Sequence, residues 1–178
     1  MEVMSRCTIS HPLSIDIDTM PRFLLADALS REAIEMNESA LTLLQNSVFD
    51  DPIPHRLTVV ERSLGELGLE GGGALSEIFA AATASGLKLC PPTTGPYLRL
   101  LLRSQGMAPD SIMSNGRAPS GSLTIGSAPL ELDAEYPKGF YLRVIEGRPW
   151  LRGYRCDDEH VWGAGDRFVF ATDGRGRK

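Results

Sequence analysis

An α+β domain is the fold that this sequence predicts, with N-terminal helices and one or two strands packed on a C-terminal antiparallel sheet. Three observations carry that expectation. The stretch Gly139 to Thr172 reads as three strands separated by turn residues. Helical periodicity is confined to residues before 105. Helices and strands are segregated along the chain, which argues against alternating βαβ units. The expected organisation is one domain over residues 1–172: mainly helical over 1–50, strand plus helices over 56–105, and sheet over 122–172. Residues 173–178, Asp-Gly-Arg-Gly-Arg-Lys, are predicted to be a disordered tail.

Ile15 and Ile17 alternate with Asp16 and Asp18, a short strand signature. Asp18 or Thr19 is a suitable cap for a helix beginning near Pro21, with Phe23, Leu24, Ala28 and Leu29 at helical spacing. A second helix is expected from a Ser30 cap, with Ala33, Ile34, Leu41 and Leu44 on its apolar side and Asn46 at its end. Asp51-Pro52-Ile53-Pro54 forbids helix. Arg56 to Ser63 is the next strand, with Leu57, Val59 and Glu61 on one side and Thr58 and Val60 on the other.

Gly65 to Gly73 reads as a flexible connector. Its three consecutive glycines lack the GK[ST] or G-x-G-x-x-G context of a phosphate loop. Ala74 to Ala84 is a helix stopped by Gly86. Thr94 to Arg103 is another, with Pro96 in its first turn; a strand is the competing assignment for Tyr97 to Leu102. Met107 to Ser122, rich in Ser, Pro, Gly and Asn, reads as a mobile loop. Leu123 and Ile125 then open a strand, and Pro129 marks an edge or a bulge.

In the final sheet, Glu146-Gly147 suits a two-residue hairpin turn. That turn sets Ile145 opposite Arg148, Arg143 opposite Trp150, Leu142 opposite Leu151 and Tyr141 opposite Arg152. Alternation then sends Phe140, Leu142, Val144 and Leu151 to the core. Tyr141, Arg143, Trp150, Arg152 and Tyr154 share the other face, where guanidinium groups and rings can form cation–π contacts of about 0.5–1 kcal/mol each.

The net charge is −5, which argues against general affinity for nucleic acid. Charge is uneven, however: residues 139–178 hold eight Lys/Arg against six Asp/Glu, and the remainder hold ten against seventeen. Three scattered cysteines, Cys7, Cys90 and Cys156, make no disulfide framework. The N-terminus lacks a signal-peptide pattern, and no window approaches a membrane span. A cytoplasmic protein with free thiols, no membrane association and no cofactor is expected.

Leu89-Cys90-Pro91, Gly95-Pro96, Leu98-Arg99-Leu100, the run from Ile125 to Leu130, Trp150-Leu151, Trp162 and Arg167-Phe168-Val169-Phe170 resemble a family of uncharacterised bacterial proteins. Its pattern is an LCPxxxGPxLRL segment followed by a β-meander ending in W…RFVF. The resemblance covers about residues 87–171 and implies a shared fold but no activity. The Met107 to Ser122 loop departs from that pattern as an insertion.

Chemical motifs are sparse. Cys90, near a helix start, is the first candidate nucleophile, and His55 or His160 would have to serve as its base in a small hydrolase or transferase. The competing reading is a structural, buried cysteine. Cys156 and His160 have C-x3-H spacing but no second ligand pair, so no metal site is expected. No G-x-S-x-G elbow presents a serine. The functional expectation is therefore an interaction protein that binds another protein through Tyr141, Arg143, Trp150, Arg152 and Tyr154, set against the plainer reading that the N-terminal helices cover this face and its arginines only rim it. Single-strand nucleic-acid binding on the same face is the weaker alternative.

Overall fold

A computed structural model describes residues 7–102 and 121–173. Seven strands form one sheet: β1 (Leu13–Ile17), β2 (Glu35–Met36), β3 (His55–Ser63), β4 (Leu123–Ile125), β5 (Gly139–Ile145), β6 (Arg148–Tyr154) and β7 (Arg167–Thr172). Their order across the sheet is β1-β3-β7-β4-β5-β6-β2. Four helices accompany it among the described residues: α1 (Arg22–Arg31), α2 (Glu38–Leu44), α3 (Leu75–Ala84) and α4 (Thr94–Leu101). The chain is an α+β domain, and no helix among the described residues is long and apolar enough to cross a membrane.

The β5–β6 hairpin has the register read from its turn, with Arg143 opposite Trp150 and Tyr141 opposite Arg152. Glu146 and Gly147 both adopt positive φ, +50° and +75°, as a turn matching the strand twist requires. The expected three-stranded meander is corrected. β7 does not return beside β6. β4 lies between β5 and β7, antiparallel to the first and parallel to the second, so the sheet is mixed. The outer edge of β6 is closed to β7 because β2 pairs there in parallel at Trp150 and Leu151. Asn37 extends that edge: its side chain accepts from the Gly153 N–H at 2.9 Å and donates to the Gly153 carbonyl at 3.0 Å.

Two apolar cores form, one on each face of the sheet. On the first face α1, α2 and α4 contribute Leu25, Leu29, Leu43 and Leu98 against Ile15, Val59, Ile125, Leu142 and Leu151. On the second, α3 contributes Ile78 and Ala82 against Val60, Tyr141, Tyr154, Trp162, Phe168 and Phe170. Helices therefore lie on both sides of the sheet, α3 covering the face opposite α1, α2 and α4.

Other boundaries move for local reasons. The cap of α1 is Pro21, not Asp18 or Thr19. Ser30 lies inside α1, and Ala33 turns the chain at φ +54° into β2. The cap of α2 is Asn37, whose Oδ1 also accepts from the Ala40 N–H. Asn46 caps a short 3-10 turn rather than ending α2. The Gly65–Gly73 segment is a built loop, tied to the β6–β7 connection by reciprocal hydrogen bonds between Gly73 and Trp162. At Gly72 (φ +80°) a Cβ would lie 2.1 Å from the Trp162 carbonyl oxygen, so glycine is required there. The strand near Pro129 is central, not an edge. The loop predicted over 107–122 and the tail over 173–178 lie outside the described residues, except Gly121, Ser122 and Asp173.

Candidate binding face

Alternation along β5 and β6 puts Tyr141, Arg143, Trp150, Arg152 and Tyr154 on one face, as expected, but their burial divides them. Tyr141 and Arg143 are each 6% exposed and Tyr154 is 9% exposed. Trp150 and Arg152 are half-buried. The accessible part of the five-residue face is therefore the Trp150–Arg152 pair. Tyr154 belongs to the α3-side core, its ring edge-on to Trp162 at 5.6 Å. Burial pushes its hydroxyl pKa up, because a phenolate would lose its hydration there.

Arg152 is held in a fixed pose. Its Nε donates to the Tyr141 hydroxyl at 2.8 Å. Its guanidinium carbon lies 5.0 Å from the centre of the Trp150 ring and 5.9 Å from that of Tyr141. The hairpin is also braced from behind. Arg99 of α4, fully buried on the opposite face, donates to the carbonyls of Arg143 and Trp150, each at 3.4 Å. At the exposed rim, Arg148 pairs with Glu35 of β2 at 3.5 Å.

Cys90 occupies the opposite core. It is 3% exposed, and its thiol donates to the Val169 carbonyl at 3.6 Å. Burial pushes its pKa up to about 12. A nucleophilic thiol needs access and a depressed pKa, and Cys90 has neither. Neither candidate base is placed to serve it. His160 packs edge-on to Trp162 at 5.0 Å, in contact with the α3-side core, so the sheet separates it from Cys90. His55 sits at the β1–β3 margin, opposite Ile17. Native protein exposed to iodoacetamide at neutral pH is expected to be alkylated at exposed Cys7 and half-buried Cys156, with Cys90 modified only on unfolding. Mass spectrometry of the digest would check this, and rapid native labelling of Cys90 would contradict its placement.

Cys156 and His160 gain no companions: among the described residues, no three His, Cys, Asp or Glu side chains are grouped to hold a metal ion. Two surface hollows are lined wholly by described residues. One of about 470 Å³ lies between Gly71 and the Trp162–Asp166 loop. The other, of about 400 Å³, lies between Leu24 of α1 and Leu100 of α4. Neither is lined by Cys90, Trp150 or Arg152.

A charged cluster escaped the sequence reading. Glu61 is 2% exposed on the Leu57–Val59 face of β3. Its carboxylate takes the Arg167 guanidinium on one oxygen and the Ile9 N–H, at 2.6 Å, on the other. Arg167 also reaches Glu66 at 3.6 Å. The available signal was Glu61 continuing the apolar alternation of β3, with Arg167 opening β7.

Comparison of the chain with protein-family models, with curated proteins and with solved structures found no match.

Proposed function

We propose that this protein is a non-enzymatic binding module whose β5–β6 hairpin presents Trp150 and Arg152 to another protein. The observation that carries the reading is the pre-set pose of Arg152, fixed by Tyr141 and stacked on Trp150 on a braced hairpin. Tryptophan and arginine are the side chains most often found at the energetic centre of protein interfaces. An anchor already ordered loses less side-chain entropy on binding. Tyr141, Arg143 and Tyr154 then act as supports, since they are buried in the free chain.

The resemblance to the LCPxxxGPxLRL family forms part of the same proposal. Cys90, Gly95, Leu98 and Arg99 of that string are all buried, which fits a motif that specifies packing. We place the protein in the cytoplasm on the same footing, since its three cysteines are free thiols.

The test is affinity capture from cells with wild-type bait and with Trp150→Ala and Arg152→Ala baits. Circular dichroism would establish that both variants keep the fold. A protein retained by wild type is expected to be lost by at least about tenfold on either variant, the equivalent of about 1.4 kcal/mol. Equal retention by all three baits would refute the reading.

A further inference from the structure

We propose that the occupant of this face is an acidic peptide segment, whose carboxylate is gripped by Arg152 while a neighbouring apolar side chain lies on Trp150. The inference rests on the binding-module reading above.

The first support is the hydrogen-bond inventory of Arg152. Its Nε is committed to Tyr141 and one face of its plane to Trp150, which leaves the terminal nitrogens for a ligand. Among the described residues no carboxylate is paired with this guanidinium, whereas Arg148 has Glu35 and Arg167 has Glu61. A guanidinium so oriented matches the two oxygens of a carboxylate, and that geometry adds selectivity to charge.

The second support is charge complementarity. Over 138–155 the cations are Lys138, Arg143, Arg148, Arg152 and Arg155, and Glu146 at the turn is the single acid. The acidic run Asp157-Asp158-Glu159 begins only after β6 has ended. Arg143 is buried and Arg148 is paired with Glu35, so Lys138, Arg152 and Arg155 are the cations of this stretch that attract an acidic segment locally, on a chain of net charge −5. A nucleic-acid phosphate would meet the same fork, but a long polyanion would also meet the repulsion of the whole chain. The protein ligand is therefore the favoured one.

The third support is the mixed character of the face. Trp150 supplies a broad apolar surface beside the charge. Carboxylate and apolar side chain would therefore be read together, a few ångströms apart.

The probe is a phage-displayed random peptide library, selected on wild-type protein and counter-screened on Arg152→Gln, Arg152→Lys and Trp150→Ala, each checked by circular dichroism. Enriched peptides are expected to carry Asp or Glu beside an aromatic or aliphatic residue. Their affinity is expected to fall by about ten- to a hundredfold with Arg152→Gln, as for loss of a hydrogen bond to a charged group. Arg152→Lys should restore only part of it, because lysine cannot hold the Tyr141 bond and a bidentate grip together. Peptides that need Trp150, lack acidic residues and ignore Arg152→Gln would overturn the acidic partner while leaving the binding face. Absence of any peptide dependent on either residue would overturn both. Arg152-dependent binding of a fluorescent single-stranded oligonucleotide, with no such peptides, would overturn the protein partner.

Discussion

Asn37→Ala is expected to lower the unfolding free energy by about 3–7 kcal/mol, and Asn37→Asp should recover less than half of that loss. The reason is that one side chain serves two elements. Its Oδ1 caps α2 at the Ala40 N–H and also accepts from the Gly153 N–H, while its Nδ2 donates to the Gly153 carbonyl. The side chain thus continues the β2–β6 pairing where β2 has run out of backbone. Alanine removes a helix cap, worth about 1 kcal/mol, and leaves the two polar groups of buried Gly153 without partners, at about 1–3 kcal/mol each. Aspartate is ordinarily as good a cap as asparagine. Here it can still accept both N–H groups, but it sets a carboxylate oxygen against the Gly153 carbonyl in place of a donor. Urea unfolding followed by circular dichroism would check both variants. A fully stable Asn37→Asp protein would mean that the bond donated to the Gly153 carbonyl contributes nothing. Close packing supports the link, since a Cβ on Gly153 would lie 2.7 Å from the Ser39 carbonyl carbon.

The second large effect is expected at Arg167. Its replacement by alanine should cost about 3–5 kcal/mol, because it would leave the Glu61 carboxyl without its cation in a site almost closed to water. The Ile9 N–H satisfies only one of the two carboxylate oxygens. Replacing both partners with apolar residues, Glu61→Leu with Arg167→Met, should return most of the loss, since the desolvation cost of each charge disappears with the charge. The double-mutant cycle in urea measures the coupling directly. A loss below about 1 kcal/mol for Arg167→Ala would mean that the pair behaves as a solvated surface bridge.

The hairpin register was legible because its causes are local. A glycine follows an acidic residue at a two-residue turn, and strict alternation does the rest. Helices α3 and α4 were legible for the same reason, through Gly86 and Pro96. The sheet order was not. β4 is a three-residue strand, Leu-Thr-Ile, and nothing local says that it will separate β5 from β7. Ser30 looked like a cap, yet α1 runs through it and the break falls at Ala33, a residue type that gives no warning of positive φ.

The candidate face was legible in its membership but not in its exposure. Period two assigns Tyr141 and Trp150 to the same side. It cannot tell that α3 and Trp162, contributed by distant segments, cover the Tyr154 end of that side while Trp150 and Arg152 stay only half-buried. Cys90 shows the same limit: its neighbour Val169 lies across the fold.

β7 pairs with β3 on one flank and β4 on the other. Without it the strands fall into two leaves, β1–β3 and β4–β5–β6–β2, with no ladder between them. Its residues come last in sequence among the described strands. The two leaves must therefore wait for residues 167–172 before they can be stitched into one sheet, and Glu61 stays without its cation for the same interval.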